Sequence, residues 1–275
     1  MKVFRPVLHI VMFTFLTIIS QVGGLEYVLI MYLSRLTRSR FKRRSLHIAF
    51  LTPVAMVAHA ACVWVVIPHL AQVLGREPLP ISSQNIEAHA LHTVLLYRNY
   101  VNSGIESELN QITNAIQSEC NNPNIKLVYL DACFPFFDGF PLLPHLSHND
   151  GRKVDLAFLY SNDQGYIRGG VKNWLGYGVY ENPLPGESNQ PDKCAEAGFW
   201  QYSALSLVTF DHHPEYFTTA SLNKSLVAQC TGNSRVQRIF LEPHLHKRWN
   251  LSHPKIRYHG CHAVRHDDHI HLEFN

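Results

Sequence analysis

Residues 266–274 read His-Asp-Asp-His-Ile-His-Leu-Glu-Phe and are the most informative segment of the sequence. From His269 onward it alternates in the manner of a β-strand. Side chains alternate between the two faces of a strand, so His269 and His271 project from the same face. Imidazoles beside core residues are costly to bury unless they are paired or bind a metal. The stretch therefore predicts a strand that carries part of a metal site.

A second polar stretch lies at residues 144–156 and reads Pro-His-Leu-Ser-His-Asn-Asp-Gly-Arg-Lys-Val-Asp-Leu. Asp155 follows His148 after six intervening residues and lies in a run, residues 154–160, that is typical of a buried strand. Either segment alone is a weak signal in a chain with 18 histidines. Together they offer two imidazoles and a carboxylate, which leave an open position on a tetrahedral zinc ion. A water bound there becomes a usable nucleophile near neutral pH.

Other catalytic classes lack their motifs in this sequence. There is no His-Glu-x-x-His, which argues against a thermolysin-type site, and no Gly-x-Ser-x-Gly, which argues against a serine nucleophile. Phosphate-binding and dinucleotide-binding glycine motifs are also absent.

Three motifs in order resemble those of a known family. They are His-Leu-Ser-His with the following Gly and Asp (residues 145–155), Arg-Ile-Phe-x-x-Pro (residues 238–243) and the late His-x-His (residues 269–271). This set resembles the zinc DD-peptidases, and among them most closely the penicillin-insensitive murein endopeptidases. The resemblance covers residues 144–275, says little about residues 81–140 and nothing about residues 1–80.

The resemblance implies that His148, Asp155 and His271 are the zinc ligands. It also implies a general base close to the last ligand, either Asp268 or His269. The position of Asp268, three residues before His271, slightly favours it. Strand alternation counts against Asp268 unless the strand begins after it.

Two further histidines, His145 and His266, match positions near the metal in the endopeptidases. We expect them at the rim of the cleft, where they could contact substrate. Some relatives hold a second metal through the counterpart of His145 and two downstream aspartates. This sequence has no convincing aspartate pair of that kind, so we expect one zinc ion.

The N-terminal third contains two apolar stretches on either side of a basic cluster. Residues 7–33 contain one acid, residues 46–74 contain no charged Asp, Glu, Lys or Arg, and residues 35–44 contain six basic residues. Each apolar stretch is long enough to cross a bilayer. A basic run can indicate nucleic-acid binding, but between apolar stretches it indicates a cytoplasmic loop. We therefore predict a transmembrane hairpin with an external N-terminus.

The predicted organisation is the hairpin (residues 1–75), a linker (76–83) and an exported domain (84–275). The chain has 46% hydrophobic and 16% charged residues, which leaves room for one domain of typical size and an extra segment. The resemblance implies that the exported domain is α+β, a small antiparallel sheet with flanking helices. Five of the six cysteines lie in it, so at most two disulfides can form there, and Cys230 and Cys261 could pair.

Residues 161–200 form a long irregular segment. Its aromatic residues either line a substrate cleft or pack as in an ordinary loop. They are Trp174, Tyr177, Tyr180 and Trp200.

These observations predict a membrane-anchored zinc metallopeptidase. The resemblance implies that it hydrolyses D-amino-acid-containing peptide bonds of peptidoglycan. It would sit in the cytoplasmic membrane with its catalytic domain on the periplasmic side. Its partners would be peptidoglycan peptide and membrane lipid, and not nucleic acid. The alternatives are a D-alanyl-D-alanine carboxypeptidase and a non-catalytic metal-binding protein that binds cell-wall peptide.

Overall fold

The computed structural model describes residues 4–210 and 212–275, which form helices and three β-sheets. The α-helices are α1 (Phe4–Ser20), α2 (Gly23–Thr37), α3 (Arg44–Ala61), α4 (Ile67–Val73), α5 (Leu91–Leu95), α6 (Ile105–Glu119), α7 (Gln190–Glu196), α8 (Ala220–Gly232) and α9 (Pro243–Arg248). The strands are β1 (Arg76–Pro78), β2 (Ile86–Ala88), β3 (Tyr100–Asn102), β4 (Leu127–Tyr129), β5 (Lys153–Ala157), β6 (Tyr160–Asn162), β7 (Gly165–Tyr166), β8 (Phe217–Thr218), β9 (Val236–Phe240), β10 (Ile256–Arg257) and β11 (His269–Phe274).

The central sheet has six strands in the order β10-β9-β11-β5-β4-β2. Its middle pairs are antiparallel, and the pairs β10–β9 and β2–β4 at its two edges are parallel. The predicted combination of helices and a sheet is therefore confirmed, although the sheet is mixed rather than antiparallel throughout. Strand β11 lies between β9 and β5, so the segment His269–Phe274 is near the centre of this sheet.

The hydrophobic core joins this sheet to two long helices. Helix α6 buries Ile105, Leu109, Ile112 and Ile116, whose spacing of three or four residues places them on one face. These side chains pack in one cluster with residues of β11 and α8, including the fully buried Leu272. The same cluster includes residues of β5, so it packs against both central strands.

The first apolar stretch, predicted as one transmembrane helix, forms the two shorter helices α1 and α2. The chain turns back at Gln21, whose φ is +61°, and the helices then pack side by side. Gly24 allows this close approach, because a Cβ there would lie 2.8 Å from the carbonyl oxygen of Phe13. Pro6 and Arg35 line one cavity, so the start of α1 lies near the basic segment. The prediction that residues 7–33 form one spanning helix is therefore wrong.

The second apolar stretch forms one long helix from Arg44 to Val73, which includes α3, a π-helical turn at Cys62–Val66, and α4. Among the described residues it is the one helix long and apolar enough to cross a membrane.

The predicted linker, residues 76–83, is structured. Strand β1 pairs with β3 along its whole length, and the helices pack directly on the domain beside it. Val63, Ile67 and Ala71 of the long helix share a buried cluster with Val94 and Tyr97. The N-terminal helices and the domain therefore share a hydrophobic interface.

The irregular segment at residues 161–200 contains β6, β7 and α7 and is tied to the C-terminal part of the chain by a disulfide. The bond joins Cys194 to Cys261. The suggested Cys230–Cys261 pair is therefore wrong, since Cys230 is a buried free thiol in α8. Sequence spacing could not distinguish these pairings.

Candidate metal centre

Three neighbouring parts of the fold bring the predicted ligands together. Strand β5 carries Asp155, and β11 carries His271 directly opposite it in the antiparallel register. The loop before β5 supplies His148, whose side chain is fully buried. The register of the two central strands therefore places residues 116 positions apart in the sequence side by side.

The ligand atoms of these three residues converge. The Nε2 atom of His148 lies 3.2 Å from Oδ1 of Asp155 and 3.1 Å from Nδ1 of His271. The last pair, His271 Nδ1 and Asp155 Oδ1, is 2.8 Å apart. Ligands about 2.0–2.1 Å from a tetrahedral zinc ion are roughly 3.3 Å from one another. The two spacings to His148 are close to that value, and the spacing between His271 and Asp155 is shorter.

His145, predicted at the rim of the cleft, is instead buried in this group. Its Nδ1 lies 2.8 Å from Oδ2 of Asp155, but without hydrogen-bond geometry, and both of its ring nitrogens are buried without a hydrogen-bond partner. His145, His148 and Asp155 form a buried group that could hold a metal ion. Unsatisfied buried nitrogens are costly, and a metal ion here would satisfy at least one of them.

The orientation of His148 is set by its second ring nitrogen. Nδ1 lies 2.7 Å from the carbonyl oxygen of Ala132, to which it can only donate. The neutral ring then carries its lone pair on Nε2, the nitrogen that faces Asp155 and His271. Metal-binding histidines are commonly oriented by such a hydrogen bond.

The second oxygen of Asp155 belongs to a further network. The hydroxyl of Tyr177 donates to Oδ2 over 2.8 Å and lies 3.4 Å from Oδ2 of Asp131. Arg98 in turn donates to both oxygens of Asp131, each over 2.7 Å. This network holds the carboxylate of Asp155 with Oδ1 directed at the two imidazoles.

The electrostatics favour the protonation states that bind a metal. Burial would raise the pKa of Asp155, but the charges of His148, His269 and the other surrounding imidazoles hold that pKa well below its usual range. Burial lowers the pKa of His271 to about 3, despite the opposing effect of Asp155. An ionised carboxylate and a neutral imidazole are the forms that coordinate metals.

The two candidate bases, Asp268 and His269, occupy different positions. Strand β11 begins at His269, so alternation does not apply to Asp268. One oxygen of Asp268 lies 2.5 Å from Nδ1 of His269, and the other accepts a hydrogen bond from the backbone N–H of Gly178. His269 has its Nε2 buried without a hydrogen-bond partner, 3.7 Å from Oδ1 of Asp155. The Nε2 atom of His269 thus faces the centre, and Asp268 contacts the other ring nitrogen of His269.

The charge on His269 depends on its neighbours. Burial would lower its pKa, but Asp155 and Asp268 outweigh that effect and raise the pKa to about 9. The Asp268 carboxylate therefore stabilises a protonated His269. The positive charge of a metal ion at the centre would oppose this effect and favour the neutral imidazole, which is the form that can accept a proton.

A cavity of 500 Å³ gives access to the centre. His145, His266 and His271 line its inner end, and Trp200 lies at its exposed side. His266, predicted at the rim, is buried at its inner end. Burial together with the charges of neighbouring imidazoles keeps the pKa of His266 well below its usual value.

The aromatic residues of the irregular segment separate into two groups. Trp174 and Trp200 are exposed and line cavities, in agreement with a role in a cleft. Tyr177 is buried on Asp155, and Tyr180 packs under the guanidinium of Arg265, 3.9 Å from the ring centre. The contact of Tyr177 with a predicted ligand was missed, because nothing local to Tyr177 in the sequence indicates it.

Two charged residues of the site, Asp131 and Arg98, were also missed. Asp131 directly follows the apolar run at residues 127–130, and a polar residue in that position was the one available signal. No feature of the sequence near Arg98 indicated that it belongs to the site.

No protein-family model matches this chain, and no curated protein matches it in sequence. The support for the candidate metal centre therefore comes from the geometry of its residues.

Proposed function

We propose that this chain is a membrane-attached zinc metallopeptidase that hydrolyses D-amino-acid-containing peptide bonds of peptidoglycan, as a murein endopeptidase does. The observation that carries the proposal is the convergence of His148 Nε2, Asp155 Oδ1 and His271 Nδ1 within 3.2 Å of one another at the end of an open cavity. The substrate class comes from the motif resemblance alone.

Zinc fits this donor set better than magnesium or calcium does. Two or three imidazoles and one carboxylate are typical of catalytic zinc, whereas magnesium and calcium prefer oxygen ligands. The buried, unpartnered nitrogens of His145 also favour a metal with affinity for imidazole. Bound zinc would polarise the scissile carbonyl and lower the pKa of a water at the open position.

The residues of the chain would then move the proton. The unpartnered Nε2 of His269 is the group best placed to accept a proton near the centre, and Asp268 would stabilise the resulting imidazolium across the 2.5 Å contact. His269 would return the proton to the leaving amine. The roles of base and orienting carboxylate are thus divided between these two residues.

The proposed location has two supports. The helix Arg44–Val73 is long and apolar enough to span the bilayer, and the basic segment at residues 35–44 would remain in the cytoplasm. The Cys194–Cys261 disulfide requires an oxidising compartment, which agrees with export of the domain.

Digestion of purified muropeptides, with products identified by mass, tests the function. We expect the full chain to convert cross-linked muropeptides to monomers and the Asp155→Asn variant to be inert. Release of a single terminal D-alanine would instead identify a carboxypeptidase. A wild-type protein that binds zinc but cleaves no muropeptide would favour the binding-protein alternative.

A further inference from the structure

A cavity of 420 Å³ lies between the N-terminal helices and the catalytic domain. Its walls are mostly apolar and come from α1, α2, α3 and the segment around α5. Six of the lining residues are Leu16, Ile19, Ile30, Ala55, Leu95 and Leu96. The cavity is therefore bounded by both the candidate membrane region and the domain.

One end of this cavity is polar. The carboxylate of Glu26 lies 2.7 Å from Nδ1 of His59, and the hydroxyl of Tyr97 donates to its other oxygen. Glu26 and His59 belong to the helices, and Tyr97 belongs to the domain. Ionisable residues among membrane helices are rare and commonly mark a functional site.

The cavity is the first of three neighbouring cavities, and the third of them reaches the candidate metal centre. Leu96 also lines a second cavity of 280 Å³, together with Arg98 and Trp174. Pro144 and Leu205 line both this second cavity and the 500 Å³ cavity that reaches His145 and His271. Adjoining cavities thus extend from between the helices to the site.

Exposed apolar side chains lie beside these adjoining cavities. Phe137, Leu143 and Trp174 are each at least half exposed. The loop that carries Phe137 is held to the turn between α1 and α2, because the side-chain oxygen of Gln21 accepts a hydrogen bond from the N–H of Phe136 over 2.9 Å. Exposed apolar side chains next to membrane helices are typical of a surface that contacts lipid.

We propose that the cavity between the helices binds the apolar chain of a membrane lipid that carries the substrate. The polar head of that lipid would lie along the second cavity, with its scissile bond at the metal centre. The inference rests on the proposed function and adds a preference for substrate that is attached to a membrane lipid. A freely diffusing peptide would leave the first cavity unused.

Photolabelling tests lipid binding without reference to hydrolysis. The probe is a phosphatidylglycerol with a diazirine on its acyl chain, added to the full chain in detergent micelles. We expect labelling of residues 91–96, which belong to the domain and face the cavity. Ala55→Phe and Ile30→Trp would fill the cavity and reduce this labelling at least about tenfold, which corresponds to roughly 1.4 kcal/mol of binding free energy.

Val57→Phe is the matched control, since Val57 lies on the same helix as Ala55 but is 69% exposed. Residues 91–96 of this variant should be labelled to the same extent as in the wild type. Zinc content and gel filtration show whether each variant is folded. Absence of label from residues 91–96 in the wild type, or equal labelling in two folded cavity-filling variants, would overturn the proposal.

Hydrolysis of one D-alanine-containing peptide, with and without an attached palmitoyl chain, separates this inference from the proposed function. We expect the wild type in micelles to prefer the palmitoylated peptide, and Ala55→Phe to lose the preference but keep its rate on the free peptide. Labelling without hydrolysis of either peptide would refute the peptidase and leave the lipid site standing. Equal hydrolysis of both, without labelling, would refute the lipid site alone.

Discussion

The hydroxyl of Tyr177 donates a hydrogen bond to Oδ2 of Asp155 over 2.8 Å, while Oδ1 of the same carboxylate contacts His148 and His271. The irregular segment therefore takes part in the candidate metal centre. It holds the one carboxylate of the predicted ligand set in a fixed orientation.

Removal of this hydroxyl should weaken metal binding. Loss of a hydrogen bond to a metal ligand typically costs about 10–100-fold in affinity, so we expect that effect from Tyr177→Phe in a chelator competition titration. Tyr180→Phe is the matched control, because the hydroxyl of Tyr180 is buried without a hydrogen-bond partner. Equal zinc affinities for the two variants would show that Tyr177 does not orient Asp155.

The purified chain should contain one zinc ion, and the predicted ligands should be required for it. We expect His148→Ala, His271→Ala and the double variant His148→Ala/Asp155→Ala to lose the metal in elemental analysis. His253→Ala, at an exposed histidine away from the centre, should keep it. Full zinc occupancy in the double variant would disprove this ligand set.

The residues behind the ligands should affect catalysis and not metal content. His269→Ala removes the proposed proton acceptor and should slow muropeptide hydrolysis about 10²–10⁴-fold. Asp268→Asn should also slow it, because the imidazolium of His269 would lose its carboxylate. Both variants should retain zinc. If both hydrolyse at the wild-type rate, the proton-transfer scheme is wrong even where the metal site is right.

The Cys194–Cys261 disulfide closes a loop of 67 residues and should stabilise the domain. Its loss should lower the free energy of unfolding by roughly 2–5 kcal/mol, because the unfolded chain regains loop entropy. We expect this decrease for Cys194→Ser, for Cys261→Ser and, without further loss, for the double variant in denaturant titrations. Cys120→Ser is the control at a free thiol. A double variant as stable as the wild type would argue against the bond.

The topology should place the start of α1 and the basic segment on the cytoplasmic side. Pro6 and Arg35 line one cavity, so a reporter that is active only in the cytoplasm should be active when fused to the N-terminus. The same reporter at the C-terminus should be silent. An active C-terminal fusion would make a peptidoglycan substrate implausible.

Local sequence patterns determined the central strand and the residue types of the site. Alternation over residues 269–274 predicts β11 with the bounds that the structure has, because a period of two is encoded within a few residues. Imidazoles and a carboxylate beside buried strands indicated a metal, since their burial is costly otherwise.

The tertiary structure decided everything that depends on partners distant in the sequence. The register of β5 and β11 places Asp155 opposite His271, and only the folded chain brings Tyr177 to Asp155 and Cys194 to Cys261. It also divides the first apolar stretch at Gln21, because α2 can pack against α1 where Gly24 permits close approach. Hydropathy reports the environment that a segment prefers, whereas pairing and direction are set by the packing of the whole chain.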